Sequence, residues 1–265
     1  MYNAKESSLI LDGMGMDYIT FGSGVRPLVM IQGLNTRGIR GATWSLAYMY
    51  RMFAKDFRVY LFDRRAIVPD GITVRDIAED IAKAMDALSI SHADVLGVSQ
   101  GGMIAQYLAI DRPDLVRKMV LAVTLSRNND TVTQVVQSWI GMAEQGAMGQ
   151  LISDMAQKMY SPAYVKRYRP FLPLLTLLQK PTDVPRFAIL AKACLTCQTY
   201  DLLDQIRCPV LVLGGQQDAV VTGATSQEIA EKLGCPIHIY EDLGHAAYEE
   251  AKDFQQRIYD FFIHG

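Results

Sequence analysis

Short apolar runs alternate along most of the chain with longer segments of helical periodicity. The runs cover residues 8–12 (SLILD), 16–22 (MDYITFG), 27–32 (PLVMIQ), 58–63 (RVYLFD), 93–98 (ADVLGV), 118–124 (KMVLAVT), 208–215 (CPVLVLGG) and 236–242 (PIHIYED). They are rich in β-branched and aliphatic residues and carry few charges, as suits strands covered on both faces. Turn residues around Gly13 and Gly15 join the first two into an opening pair. In "TVRDIAEDIAKAMDAL", Thr73 is placed to cap a helix with Asp76 at its third position, and Ile77, Ile81, Ala84, Met85 and Leu88 form one apolar stripe. Residues 100–110, 225–233 and 247–263 predict further helices. Such alternation predicts an α/β fold built on a mostly parallel eight-stranded sheet flanked by helices.

One region breaks the pattern. From Arg127 to Tyr200 there is no strand-like run, only helical stretches punctuated by Pro162, Pro170, Pro173, Pro181 and Pro185 and rich in methionine (142, 148, 155 and 159). A helical insertion after the sixth strand predicts a cap, or lid, over the carboxyl edge of the sheet, where open parallel sheets bind ligands. The expected division is a core of residues 1–126 and 201–265 with a cap of residues 127–200. The plainer alternative is a set of packing helices with no gating role.

Composition narrows the function. The 265 residues carry 26 basic and 28 acidic side chains, a net charge of −2, and leave no basic footprint for nucleic acid or anionic lipid. The beginning, "MYNAKESSLILDGMG", lacks the apolar core of a signal peptide, and the greasiest cluster, "FLPLLTLLQ", is far shorter than a membrane span. The expectations are a cytoplasmic protein with no membrane span and a small-molecule substrate; a homo-oligomer is compatible with the composition. Four cysteines are too few for a disulfide framework. Cys194 and Cys197 form a CxxC, but no second pair of ligands completes a zinc site, and their spacing suits one buried helical face.

The chemistry gathers at three places. "GVSQG" stands between a strand-like run and a helical one, so Ser99 sits in a strand–turn–helix, the setting of a nucleophile elbow. Gly97 and Gly101 then read as positions where a Cβ would collide across the turn. A glycine-rich phosphate loop is the competing reading, but neither G-x-G-x-x-G nor a Lys-Ser/Thr pair is present. A serine hydroxyl needs a base. Of four histidines, His92 falls at the amino end of the elbow strand, His238 lies within a strand, and His264 is the penultimate residue. His245, in the loop after the last strand, is the candidate. Asp218, just past "VLVLGG", is the favoured carboxylate to orient it, ahead of Asp130 and Asp242.

With "PLVMIQG", "GVSQGG", "GGQQD" and "LGH" in this order, nearly the whole chain resembles the α/β-hydrolases that carry a helical cap, most of all their esterase, enol-lactonase and cofactor-free haloperoxidase branches. The serine separates it from the branches with an aspartate nucleophile. The resemblance implies catalytic roles for Ser99, Asp218 and His245, and an oxyanion hole made by the backbone N–H groups of Gln100 and Leu34. Two departures from the family pattern stand out. Gln32–Gly33 replaces the usual His-Gly, which leaves the backbone donor in place and offers the loop's bracing an amide instead of an imidazole, and "DRRAIVPDG" keeps the family arginine as Arg64 without the glycines that usually follow. The implied activity is hydrolysis of a small, mostly apolar ester, lactone or thioester with no metal or organic cofactor. Carbon–carbon bond hydrolysis or perhydrolysis with the same triad is the alternative, and a ligand sensor with little turnover is a third reading.

Overall fold

The computed structural model describes residues 2–171, 174 and 181–265. The eight apolar runs become β1 (Lys5–Leu11), β2 (Met14–Phe21), β3 (Arg26–Ile31), β4 (Phe57–Arg65), β5 (Ala93–Val98), β6 (Val116–Ala122), β7 (Val210–Gly215) and β8 (Ile237–Tyr240). They form one sheet of order β1-β2-β4-β3-β5-β6-β7-β8. The β1–β2 hairpin is antiparallel and pairs antiparallel with β4, and every other pairing is parallel. Exposure follows position. Every residue of the central strand β5 is buried, whereas the edge strand β1 alternates toward solvent.

Helices cover both faces. On one side α2 (Val74–Ala87), α3 (Gln100–Asp111) and α8 (Gly223–Leu233) pack Ile77, Ile81, Met103, Leu108 and Ile229 against the sheet. On the other, α1 (Thr43–Met49) and the closing helix α10 (Phe254–His264) bury Ala47, Phe254, Ile258 and Phe262. The closing segment differs from the single helix expected over 247–263. A short α9 (Ala247–Glu250) ends at Ala251, whose ψ of 121° is extended, before α10 begins. The break frees Glu250 to accept hydrogen bonds from Ser161 while Asp253 accepts from Tyr240 and Arg257.

The start of α2 shows how local chemistry sets an element. Thr73 Oγ1 accepts from the Asp76 N–H at 3.1 Å, and the Asp76 carboxylate accepts from the Thr73 N–H at 2.8 Å, a complete capping box. Thr73→Ala is expected to lower stability by about 1 kcal/mol, read as a fall of roughly 2–4 °C in Tm by calorimetry.

Between β6 and β7 the chain forms α4 (Asp130–Glu144), α5 (Met148–Met159), α6 (Pro162–Tyr168) and α7 (Val184–Cys194). Among the described residues of this stretch the only strand pairing is a bridge between Arg127 and Gln198. That bridge, with the N–H groups of Thr199 and Tyr200 both donating to Ser126 O, brings the two ends of the insertion together. Pro162 opens α6 and Pro185 lies in the first turn of α7, where a missing N–H costs nothing. Pro173 and most of "FLPLLTLLQ" lie outside the described residues. Cys194 ends α7, but Cys197 lies beyond it, so the pair does not share a helical face. Both thiols are buried nonetheless, and burial pushes them up to about 11 and about 12. No helix among the described residues is long and apolar enough to cross a membrane.

Candidate active site

The elbow forms because β5 runs straight into α3 with one residue between them. Ser99 takes φ 53° and ψ −118°, a conformation that costs an L-residue on the order of 1–3 kcal/mol. The neighbours hold it there. The Ser99 N–H donates to Ala122 O at 2.8 Å, Thr124 Oγ1 donates to Ser99 O at 2.7 Å, and Ser99 O also accepts from the N–H of Gly102. Gly97 behaves as expected, since a Cβ there would meet Gly101 O at 2.6 Å across the turn. Gly101 does not. Its Cβ would meet Ile31 O at 1.9 Å, so the constraint comes from the end of β3 and not from the turn itself.

Asp218 and His245 reach Ser99 from the neighbouring carboxyl ends. Asp218 lies three residues past β7 and His245 in the loop after β8, and both are buried. His245 Nδ1 is 2.8 Å from Asp218 Oδ2, and His245 Nε2 is 2.9 Å from Ser99 Oγ. The other Asp218 oxygen accepts from the N–H groups of Val220 and Val221 at 2.8 and 2.9 Å, so the carboxylate cannot rotate freely. The competing residues lie elsewhere. Asp130 is exposed at the first turn of α4, Asp242 is exposed, His92 and His264 are exposed, and His238 packs edge-on against Tyr240 in β8.

Leu34 and Ser99 line the same small cavity, and among the described residues neither the Leu34 nor the Gln100 N–H donates to a protein acceptor. Arg64 braces the Leu34 loop. Arg64 Nη2 donates to Gln32 O at 2.5 Å and approaches Gly33 O at 3.4 Å, so the loop is held through main-chain carbonyls and not through a Gln32 amide. The same Nη2 donates to Gln100 Oε1 at 3.0 Å, and Gln100 Nε2 donates in turn to Leu190 O at 2.6 Å and to Cys194 Sγ at 3.1 Å on α7. Sequence reasoning missed the roles of Thr124 and the Gln100 side chain. For Arg64 the signal was there, in its match to the arginine that the resembling family keeps after this run.

The cavity beside Ser99 and His245 measures about 40 Å³ and is walled mainly by Leu34, Met103, Val136, Trp139, Met155 and Tyr248. One water needs roughly 10–15 Å³ of such space, so this is room for only a few heavy atoms. The insertion supplies much of the wall and is tied to the histidine loop. The Ala246 N–H donates to Met159 O at 2.8 Å, and Tyr160 Oη donates to Glu249 at 2.7 Å. Burial raises the Glu249 carboxyl and holds the Tyr248 hydroxyl well above the usual tyrosine range. A larger recess of about 310 Å³, lined by residues 35–38 with Asp63 and Arg186, is polar and contains neither Ser99 nor His245.

Residues 26–174 match the family described as the alpha/beta hydrolase fold, and the chain belongs to that family of hydrolytic enzymes. It is 23% identical over 233 residues to 3-oxoadipate enol-lactonase 2 of Acinetobacter baylyi, a match covering 86% of this chain and 85% of that protein. It is 28% identical over 205 residues to the pimeloyl-(acyl-carrier protein) methyl ester esterase of Neisseria meningitidis, covering 70% of this chain and 76% of that one. Among solved structures, the enol-lactonase of Burkholderia xenovorans LB400 superposes with a TM-score of 0.84 at 21% identity, over 97% of this chain and 99% of the other.

Proposed function

We propose that the protein is a serine hydrolase that cleaves a small, mostly apolar carboxylic ester, lactone or thioester through an acyl-enzyme on Ser99. The observation that carries this reading is the continuous relay from Asp218 Oδ2 to His245 Nδ1 at 2.8 Å and from His245 Nε2 to Ser99 Oγ at 2.9 Å. Neutral His245 takes the Ser99 proton as Oγ attacks the carbonyl carbon. Asp218 keeps Nδ1 protonated, so Nε2 is the basic nitrogen, and it stabilises the imidazolium that forms. The carbonyl oxygen becomes an oxyanion beside the N–H groups of Leu34 and Gln100 and the amino end of α3. Collapse expels the alkoxide or thiolate, which takes the proton from His245. Water, deprotonated by His245, then adds to the acyl carbon, and the acid leaves as the bond to Ser99 Oγ breaks and His245 returns the proton to Oγ.

The apolar wall favours an ester or lactone over a substrate with a second carbonyl in need of donors, since Trp139 Nε1 is already engaged by Asp154 at 2.7 Å. The relatives named for an enol-lactonase and a methyl ester esterase point the same way. Residues 127–200 act in this reading as the cap that shapes the acyl pocket. The test is covalent labelling with a fluorophosphonate. One adduct is expected at Ser99 by peptide mass spectrometry, with none on Ser99→Ala, and p-nitrophenyl acetate should turn over faster than long-chain esters. A folded wild-type protein that takes no label would sink the proposal.

A further inference from the structure

Arg64 is an expensive residue where it stands. It is 3% exposed, burial pulls its guanidinium down to about 10, and among the described residues its side-chain hydrogen bonds go to neutral oxygens. Its Nη1 is buried with no partner among the described residues. The Asp63 carboxylate beside Arg64 favours the charged form but makes no bond to the guanidinium among the described residues, and burying a cation without a hydrogen-bonded anion is unfavourable unless something else requires it there. The requirement is visible in what Nη2 touches. One nitrogen spans Gln32 O and Gly33 O on the loop after β3 and Gln100 Oε1 on the residue after Ser99.

We infer that Arg64, acting through the Gln100 side chain, is the positioning residue that sets both oxyanion donors and ties them to helix α7. This rests on the proposed acyl-enzyme reading and adds a named cause for the geometry of its oxyanion hole. The Gly33 carbonyl and the Leu34 N–H belong to one peptide plane and point in opposite directions. A guanidinium on the carbonyl side therefore aims the N–H away from itself and polarises the amide, which strengthens that N–H as a donor. Gln100 is clamped at both ends of its amide, by Arg64 on Oε1 and by Leu190 O and Cys194 Sγ on Nε2. With its side chain fixed between β4 and α7, its backbone N–H has one direction at the strained elbow. Cys194 also lines the cavity, so the clamp touches the wall of the pocket that the substrate would fill. The buried charge adds a second effect. An oxyanion forming beside Leu34 meets a cation behind the loop that the neighbouring Asp63 carboxylate only partly offsets, with no direct bond to the guanidinium among the described residues.

The test separates positioning from folding. Gln100→Leu keeps the backbone N–H and the bulk but removes both ends of the clamp, and Arg64→Met removes the cation. Each is expected to lower kcat by about 10–100-fold, short of the loss of a whole oxyanion donor, with KM within about twofold. Affinity for a trifluoromethyl ketone, whose hemiketal carries the oxyanion, should fall in step with kcat. Arg64→Lys, which keeps the charge and one donor, should recover part of both. The inference is overturned if Gln100→Leu folds and keeps wild-type kcat, or if kcat falls while affinity for the ketone does not. Should Arg64→Met fail to fold, the Gln100→Leu series decides alone. If the wild-type enzyme itself forms no Ser99 adduct, it is the acyl-enzyme reading that fails, a result distinct from any of these.

Discussion

Asp218→Asn is expected to lower kcat by about 10⁴-fold while leaving the fold intact, an effect of the size that follows when the histidine of such a relay takes the wrong tautomer. The prediction comes from the second oxygen of the carboxylate, the one His245 does not use. Asp218 Oδ1 accepts from the N–H groups of Val220 and Val221 at 2.8 and 2.9 Å. An asparagine must keep its carbonyl oxygen there, because turning the amide over would set its NH₂ against two buried N–H donors. The NH₂ then faces His245 Nδ1, which has to accept. The ring proton moves to Nε2, the nitrogen 2.9 Å from Ser99 Oγ, and the base is lost without any change of shape. Asp218→Ala makes the contrast. It strands the two N–H groups, costs about 1–3 kcal/mol of stability, and so lowers Tm as well as kcat. Measuring kcat and Tm on both variants is the check, and an Asp218→Asn enzyme within tenfold of wild type would overturn the tautomer argument.

The strands, the elbow and the residues of the relay were legible in the sequence because each is announced locally. A run such as ADVLGV has one charge, Asp94, among aliphatic residues and glycine, and a serine between two glycines at its end has few other reasons to be there. His245 stood out by elimination among four histidines. What was not legible depends on contacts between distant parts of the chain. The order of the sheet, with β4 between β2 and β3, is set by pairings that no local pattern encodes. The clamp on Gln100 joins residues 36, 90 and 94 positions away in sequence. Gln32 drew notice as a departure from the family, yet the loop is held by its carbonyl, a group every residue has. The break at Ala251 was hidden because apolar spacing continues through it, and only the bonds of Glu250 and Asp253 show why the helix stops. Side-chain type predicts chemistry well here, and main-chain direction much less.

Gly101→Ala tests the other side of that distinction, a position whose demand is purely steric. A Cβ at residue 101 would lie 1.9 Å from Ile31 O and 2.7 Å from Gln32 O, both main-chain atoms at the end of β3. No side-chain rotation relieves such contacts, so α3 must lift from the sheet or β3 must move. Either shift reaches the site. Ser99 immediately precedes α3, and Gly33 and Leu34 immediately follow the displaced segment. The expected cost is about 3 kcal/mol or more, at the upper end for overpacking, which lowers Tm by roughly 6–12 °C for a chain of this size. Activity per folded molecule should fall as well, because the two N–H donors no longer face one point. Gly141→Ala supplies the control. Its Cβ meets nothing within 4 Å on helix α4, so removing a helical glycine there should raise stability by about 0.5–1 kcal/mol. Thermal melts and fluorophosphonate labelling rates of the two variants give the comparison. If Gly101→Ala melts and labels like wild type, the close approach of β3 and α3 is not what holds the elbow against the oxyanion loop.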